Sequence, residues 1–209
     1  MSPMAFIIFH RPWFSHPKIL AQRSIQFSTK PITIRILNAP CVMMESVDSE
    51  GEFSTFARPV VSKRIVRASP KTSNNSVATL IDGKLVTDYG PVFKNRIPVG
   101  MYKMDLGASQ PVYAITSWSY HLNGTRGPQL VTVYGSSSDR DPGWGLQDAQ
   151  KFEPLGTIDL RTIRLSKYTA VSLVAAKGLA LGDYRWIVWE TAPVTKNGEH
   201  TAFQELSVL

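Results

Sequence analysis

The chain has one cysteine and no long hydrophobic run among its 209 residues. The lone thiol, Cys41, excludes an internal disulfide framework and any metal site that needs several cysteine ligands. The longest apolar run near the N-terminus, Ala5 to Phe9, is far shorter than the roughly 20 residues of a membrane span. The sequence therefore predicts no membrane span.

Acidic residues are absent from the first part of the chain. Residues 1–44 carry five basic side chains, and the first acid is Glu45. The formal net charge of +7 comes from 23 basic and 16 acidic residues, which leaves 18 basic against 16 acidic residues, a net charge of +2, over 45–209. A nucleic-acid-binding domain carries its positive charge on its folded part. The nearly neutral remainder thus predicts no nucleic-acid partner.

The acid-free start also lacks a sustained period of apolar residues. Its arginine- and serine-containing stretch at 23–28 is more typical of an organelle transit peptide than of a secretory signal, which needs a longer apolar segment. A misassigned start codon would leave the same pattern. We interpret residues 1–30 as a leader or disordered segment, and residues 31–209 as one domain.

Helical periodicity is scarce, with at most a turn or two around 144–150. Short alternating or β-branched runs dominate instead, and clusters of Gly, Pro, Asn and Asp separate them. The candidate strands lie at 32–37, 60–66, 99–106, 111–119, 129–135, 154–160, 169–175, 184–191 and 202–208. Asp105-Leu106-Gly107 is expected to be a turn that ends a strand. The pattern predicts an all-β fold, an antiparallel jelly-roll β-sandwich of about eight strands.

Aromatic and polar planar side chains gather where one strand gives way to a loop. Five of them are candidate ligand-binding residues, because sugars are held by aromatic faces together with a few hydrogen-bonding groups: Tyr120, His121, Asn123, Arg126 and Trp144. Trp144 lies in the Gly-rich stretch 142–145, which is expected to leave it exposed.

Structural interpretations of the same region stay open. Trp118 shares a strand face with Ala114 and Thr116 and is expected to belong to the core. Arg126 could instead bridge its loop to a strand carbonyl or to an acid. Asp139 and Asp141, on either side of Arg140, are typical of a solvated loop.

No nucleophile elbow or zinc-ligand spacing is present, so catalysis is not expected.

Five stretches follow one another in an order that resembles the galactose-binding-like superfamily. They are Ala78–Gly83, Tyr102–Gly107, Trp118–Ser136, Tyr184–Trp189 and Phe203–Val208, and the resemblance covers roughly residues 60–209. Discoidin or coagulation-factor C-type domains and family-32 carbohydrate-binding modules show these landmarks. The resemblance implies a non-catalytic, secreted module that binds a glycan or glycoconjugate outside the cytoplasm. The alternative is a protein-interaction or structural domain that binds no glycan.

The resemblance also implies a structural calcium ion. In the family an Asp-Gly turn, a following Thr and a Glu on the last strand often enclose the ion, and Asp82, Thr87 and Glu205 occupy the matching positions. Lys84 departs from the Asp or Asn that is usual there. The alternative is a hydrogen-bonded loop in which Asp82 caps the turn and Glu205 pairs with Lys84 or Arg185.

Overall fold

The computed structural model describes residues 64–121, 125–162, 168–175 and 179–209, and the backbone of two further strands at 7–10 and 32–37. A short 3-10 helix spans Val77–Ile81. The ten strands are β1 Ile7–His10, β2 Ile32–Leu37, β3 Ile65–Ser69, β4 Gly100–Val112, β5 Ala114–Tyr120, β6 Leu130–Ser136, β7 Glu153–Asp159, β8 Tyr168–Ala175, β9 Gly182–Thr191 and β10 Phe203–Val208. Asn123, one of the predicted ligand residues, lies outside the described residues.

The strands form two five-stranded sheets, in the orders β1-β2-β8-β5-β10 and β3-β4-β9-β6-β7. All neighbouring strands pair antiparallel except β1 and β2, which pair parallel. The predicted all-β sandwich is confirmed, and eight of its strands lie between residues 64 and 209. β1 lies within the segment predicted to be a leader, and the division at residue 30 stays a prediction. In the described ranges, no helix is long and apolar enough to cross a bilayer.

A single large cluster of buried apolar side chains fills the space between the sheets. Trp189, Tyr102 and Phe203 are fully buried in it. In β5, Ile115 faces this core and is 2% exposed, whereas Trp118 is only half-buried. The prediction that Trp118 belongs to the core is therefore wrong. Its face of β5, shared with Thr116, is the outer one, because period-2 alternation puts the neighbours of Ile115 on the opposite side.

β4 is longer than the sequence predicts. The expected turn at Asp105-Leu106-Gly107 is instead an irregularity within the strand, where the register against β9 shifts between Asp105 and Gln110. The Gly107 backbone has φ of 88°, and its amide donates to the Asp105 carboxylate at 2.8 Å. Gly and Asp residues occur both at irregularities within strands and in turns, so sequence alone does not separate the two.

The two ends of the sandwich carry different loops. At one end, β5 finishes at Tyr120, which pairs with Tyr168 at the start of β8, and β6 begins at Leu130. We call this the Arg126 end. At the opposite end, β6 finishes at Ser136 and a long loop leads to β7 at Glu153. The predicted ligand residues are divided between these two places.

Candidate functional site

Arg126 organises the loops at its end of the sandwich. Its Nη1 donates to the His200 carbonyl at 3.1 Å, and its Nη2 donates to Asn95 Oδ1 at 2.5 Å. Nη2 also lies 3.7 Å from Glu199 Oε1, and the arginine side chain is only 11% exposed. These bonds are the kind expected if Arg126 bridges its loop to a carbonyl and to an acid. The guanidinium thus joins three segments that are far apart in sequence.

Aromatic rings pack beside this guanidinium. Arg126 Cζ lies 5.5 Å from the ring centroid of Tyr89, a half-buried side chain. Tyr120 is 2% exposed, and its ring centroid lies 6.4 Å from that of Tyr89 in an edge-on contact and 4.9 Å from that of Tyr168 in a tilted one. Burial therefore leaves Tyr120 to support Tyr89 rather than to meet a ligand directly.

His121 follows β5 at the same end and is half-buried. Its Nδ1 is buried without a hydrogen-bond partner among the described residues. Burial lowers the pKa of the imidazole, so the neutral ring is favoured. The ring lies so close to Gly127 that a Cβ there would stand 2.3 Å from Nδ1 and 2.4 Å from the His121 Cβ. A glycine at 127 is what permits the ring to pack in this position.

We expect Gly127→Ala to displace His121 and lower the free energy of unfolding by about 1–2 kcal/mol, as overpacking does elsewhere. Gly145→Ala is the matched control, because a Cβ at 145 meets nothing within 4 Å. Urea denaturation of both variants checks the expectation. Equal stability of the two variants would contradict the close packing of His121 on Gly127.

A polar cleft of about 490 Å³ opens beside Arg126. Its lining comes from the two segments that precede β4 and β10: Asn95, Arg96, Lys196, Asn197, Gly198 and Glu199. The Arg96 amide donates to the Gly198 carbonyl at 2.9 Å, which joins the two segments. Sequence reasoning missed this cleft. The one signal was the Asn197-Gly198 dipeptide, which marks a turn but does not reveal what the turn packs against.

His200 lies at the buried side of this cleft. Its side chain is fully buried, with Nε2 2.7 Å from the Ile97 carbonyl and Nδ1 3.1 Å from the Thr191 hydroxyl. The carbonyl partner assigns the proton to Nε2. Burial is the largest cause of the lowered pKa of His200, and the nearby Arg126 lowers it further. A neutral His200 thus anchors the segment from which Glu199 and Asn197 project.

Trp144 lies away from the cleft at the Arg126 end. Its loop leaves the opposite end of the sandwich and covers the outer face of β4 and β9, where its ring meets the Lys103 ammonium 4.2 Å from the ring centroid. Trp144 is half-buried, so the expectation of an exposed ring is wrong. The physical cause is Lys103, a cation that is 1% exposed and lies between Trp144 and Trp186. The structure therefore does not bring Trp144 together with His121 and Arg126.

Asp141 belongs to the same arrangement. Its carboxylate forms a short ion pair with Lys103 and a second, 3.3 Å pair with Arg67. Lys103 also donates to the Gly143 carbonyl at 2.9 Å. Hydrogen bonds from Lys103 and Gly143 lower the pKa of Asp141, although desolvation opposes them as the largest single influence. Asp141 is exposed, as a solvated loop requires, and it also pairs with these two cations.

The predicted calcium residues lie on and beside β10, the edge strand of the sheet β1-β2-β8-β5-β10. Glu205 Oε2 accepts the Gly83 amide at 3.2 Å, and the Asp82 carboxylate is close enough to raise the pKa of Glu205. Thr87 is exposed and follows Val86, whose amide donates to Gln204 at 3.1 Å. The loop therefore runs alongside β10, as a site shared by these residues requires. Asp82 also caps its turn by accepting the Lys84 amide at 2.9 Å.

The surroundings of Glu205 disfavour the ionised form of its carboxyl. Burial is the main cause that raises the pKa of its carboxyl to about 8, and Asp82 adds to the effect. Arg64 opposes it, whereas Arg185 pairs with Asp105 at 3.0 Å and not with Glu205. The described residues contain no group of three or more His, Cys, Asp or Glu placed to hold a metal. A calcium ion here would need the Thr87 hydroxyl and backbone carbonyls as further oxygen ligands.

Comparisons with known proteins give matches among solved structures. No family model matches the chain, and no curated protein matches it. Chitosan-binding module 1 from a Paenibacillus chitosanase/glucanase is 13% identical, with a TM-score of 0.48 over 71% of this chain and 96% of that one. The family 32 carbohydrate-binding module of Clostridium perfringens NanJ, solved with galactose, is 15% identical, with a TM-score of 0.48 over 69% and 92%.

A third solved structure belongs to the same group. The module CpGH89CBM32-5 from Clostridium perfringens, in complex with GalNAc-beta-1,3-galactose, is 12% identical, with a TM-score of 0.48 over 70% of this chain and 94% of that one. Galactose and GalNAc-beta-1,3-galactose are the ligands of those modules. Carbohydrate-binding modules of family 32 are thus among the solved structures to which this chain is similar, at low sequence identity.

Proposed function

We propose that this chain is a non-catalytic carbohydrate-binding module that acts outside the cytoplasm and holds its glycan in the cleft at the Arg126 end. The observation that carries the proposal is the convergence of planar polar groups there. The Arg126 guanidinium holds the Asn95 amide and the Glu199 carboxylate beside one cleft. Planar groups held in fixed positions suit the hydroxyls of a sugar ring, because their hydrogen-bond directions are set before the ligand arrives.

The size and support of the cleft favour the same ligand class. Its volume of about 490 Å³ lies within the range of small-molecule sites. Tyr89 offers a half-buried ring next to Arg126, and Asn95 and Asn197 contribute amides to the lining of the cleft. A sugar needs an apolar face beside several hydrogen-bonding groups, and these residues supply both.

Asn197→Ala is expected to weaken glycan binding by about tenfold, because it removes an amide from the lining at a cost of about 1.4 kcal/mol. Calorimetric titration of the full chain with the best glycan from an array measures the change. Trp144→Phe serves as the control and should bind like the parent, since Trp144 packs on Lys103 over the outer face of β4 and β9 and does not line the cleft. Loss of binding in Trp144→Phe with none in Asn197→Ala would place the site at Trp144 instead.

We further propose that Asp82, Thr87 and Glu205 hold a structural calcium ion. The desolvated Glu205 carboxyl supports this, because a bound cation would stabilise its ionised form. When bound, the ion would tie the loop after the 3-10 helix to β10. Its role would be structural, and glycan binding at the Arg126 end does not require it to touch the ligand.

A further inference from the structure

The charged groups that line the cleft are not balanced. Arg96 and Lys196 contribute two cations, and Glu199 is its one carboxylate. That carboxylate is already engaged, because Oε1 lies 3.7 Å from Arg126 and Oε2 accepts the Thr195 hydroxyl at 3.0 Å. Within residues 64–121, 125–162, 168–175 and 179–209, the ion pairs are made by residues other than Arg96 and Lys196.

The neutral groups of the lining add hydrogen-bond donors. Asn95 Oδ1 accepts from Arg126, so its amide NH₂ group is the end left for a ligand. The assignment of oxygen and nitrogen in this amide follows from the guanidinium, which can only donate. With Arg96 and Lys196, the cleft therefore presents donors and positive charge, whereas Asn95 Oδ1 and the Glu199 carboxylate are engaged by Arg126 and Thr195.

The backbone of Arg96 is in an unusual conformation. Its φ is 68°, in the left-handed region that glycine occupies without strain and that few other residues adopt. In this conformation the Arg96 amide donates to the Gly198 carbonyl. A long cationic side chain thus stands at a position that backbone energetics alone would give to glycine. Strained residues of this kind concentrate at ligand sites.

We infer that the cleft selects saccharides that carry an anionic group, a carboxylate or a sulfate, over their neutral counterparts. This inference rests on the proposed glycan-binding function and adds its substrate class. Arg96 and Lys196 would hold the anionic group through charge-assisted hydrogen bonds, and the Asn95 and Asn197 amides would hold neighbouring hydroxyls. Because the cations are exposed, the preference should weaken as ionic strength rises.

The test is an array of matched pairs probed with the full chain, in which each neutral saccharide stands beside its uronate or its sulfated derivative. We expect at least about tenfold tighter binding to the acidic member of a pair, the effect of one charge-assisted contact. The uronate and sulfate arms separate the two sources of charge. Polyglutamate is included as an anion without a sugar, and it should not compete.

Arg96→Gly and Lys196→Gln test the residues. Arg96→Gly removes the charge and suits the positive φ, so the variant should remain as stable as the parent and lose the preference for acidic saccharides by about tenfold. Arg140→Gln, an exposed site at the opposite end, is the matched control and should keep the preference. Equal binding of acidic and neutral members would overturn this inference and leave the glycan-binding proposal intact. Binding of neither, by folded protein, would overturn both.

Discussion

Lys103→Ala is expected to lower the free energy of unfolding by about 3 kcal/mol. The side chain is 1% exposed, and its ammonium lies 4.2 Å from the Trp144 ring centroid and 5.5 Å from that of Trp186. The substitution removes the buried stem together with the ion pair to Asp141. It also frees the loop that covers the outer face of β4 and β9, where Leu146 and Phe152 pack on Val188.

Two further variants separate the causes. Lys103→Met keeps most of the stem and removes the charge, so it should cost about 1–2 kcal/mol, the value of the lost cation–π and hydrogen-bond contacts. Lys151→Met removes an exposed lysine that pairs with Asp148 at 3.2 Å and should change stability by less than about 0.5 kcal/mol. Urea denaturation measures all three, and tryptophan fluorescence should shift to the red as Trp144 meets water. A Lys103→Ala protein as stable as Lys151→Met would contradict the buried role of Lys103.

Glu205→Gln is expected to stabilise the protein at pH 9 by about 2–3 kcal/mol, with no calcium present. The folded-state pKa of Glu205 is raised to about 8 from its ordinary value of 4.5, mainly by burial. The folded state therefore holds this proton more tightly than the unfolded state does. The contribution of the group to stability is full below pH 4.5 and declines as pH rises to about 8. The expected gain in the free energy of unfolding is smaller than the full pKa shift of Glu205 would give, because Glu205 is partly exposed.

The difference between parent and variant isolates this group. His121 and His200 have lowered pKa values, so their stabilising effect is present above pH 6.5 and declines as pH falls, opposite in sign to Glu205. Both proteins share these histidines, so the effect of the histidines cancels when the stability of one protein is subtracted from that of the other. Denaturation from pH 4 to 9 in chelator should show the two proteins diverging as pH rises. Curves that stay parallel would show that Glu205 titrates normally.

The same denaturation experiment, repeated with added calcium, tests the proposed ion. A bound ion would favour the ionised carboxylate, so added calcium should stabilise the parent at neutral and alkaline pH by mass action. Glu205→Gln, which weakens the ligand set, should respond far less. Equal midpoints with calcium and with chelator in the parent would contradict the proposed ion and leave the pH dependence of Glu205 unaffected.

Most of the sandwich was predictable from the sequence because its signals are local. The strands β4 to β10 follow from period-2 alternation and from the turn residues between them, and both are read within about ten residues. The outward face of Trp118 was not predictable in the same way. Alternation shows which residues share a face, but the sheet's position relative to the core decides which face is buried.

The site was less predictable because its parts are distant in the chain. Arg126 could be singled out from its loop, but its partners Asn95 and Glu199 lie in other segments and meet it only in the folded protein. Lys103 has the pattern of an outward-facing strand residue, and nothing near it in sequence indicates the loop that buries it. Trp144 was assigned to the ligand site by its residue type and its Gly-rich loop, whereas a contact with a lysine far away in sequence determines its environment.

The measurement that tests the central claim most directly is a nuclear magnetic resonance titration of the isotope-labelled full chain with the best glycan from the array. Binding at the proposed cleft predicts that the largest amide shift changes fall on residues 95–96 and 196–199, with smaller changes at Tyr89 and Arg126. Resonances of the loop around Trp144 should stay in place. Shift changes centred on that loop, or none at saturating glycan, would contradict a glycan site at the Arg126 end.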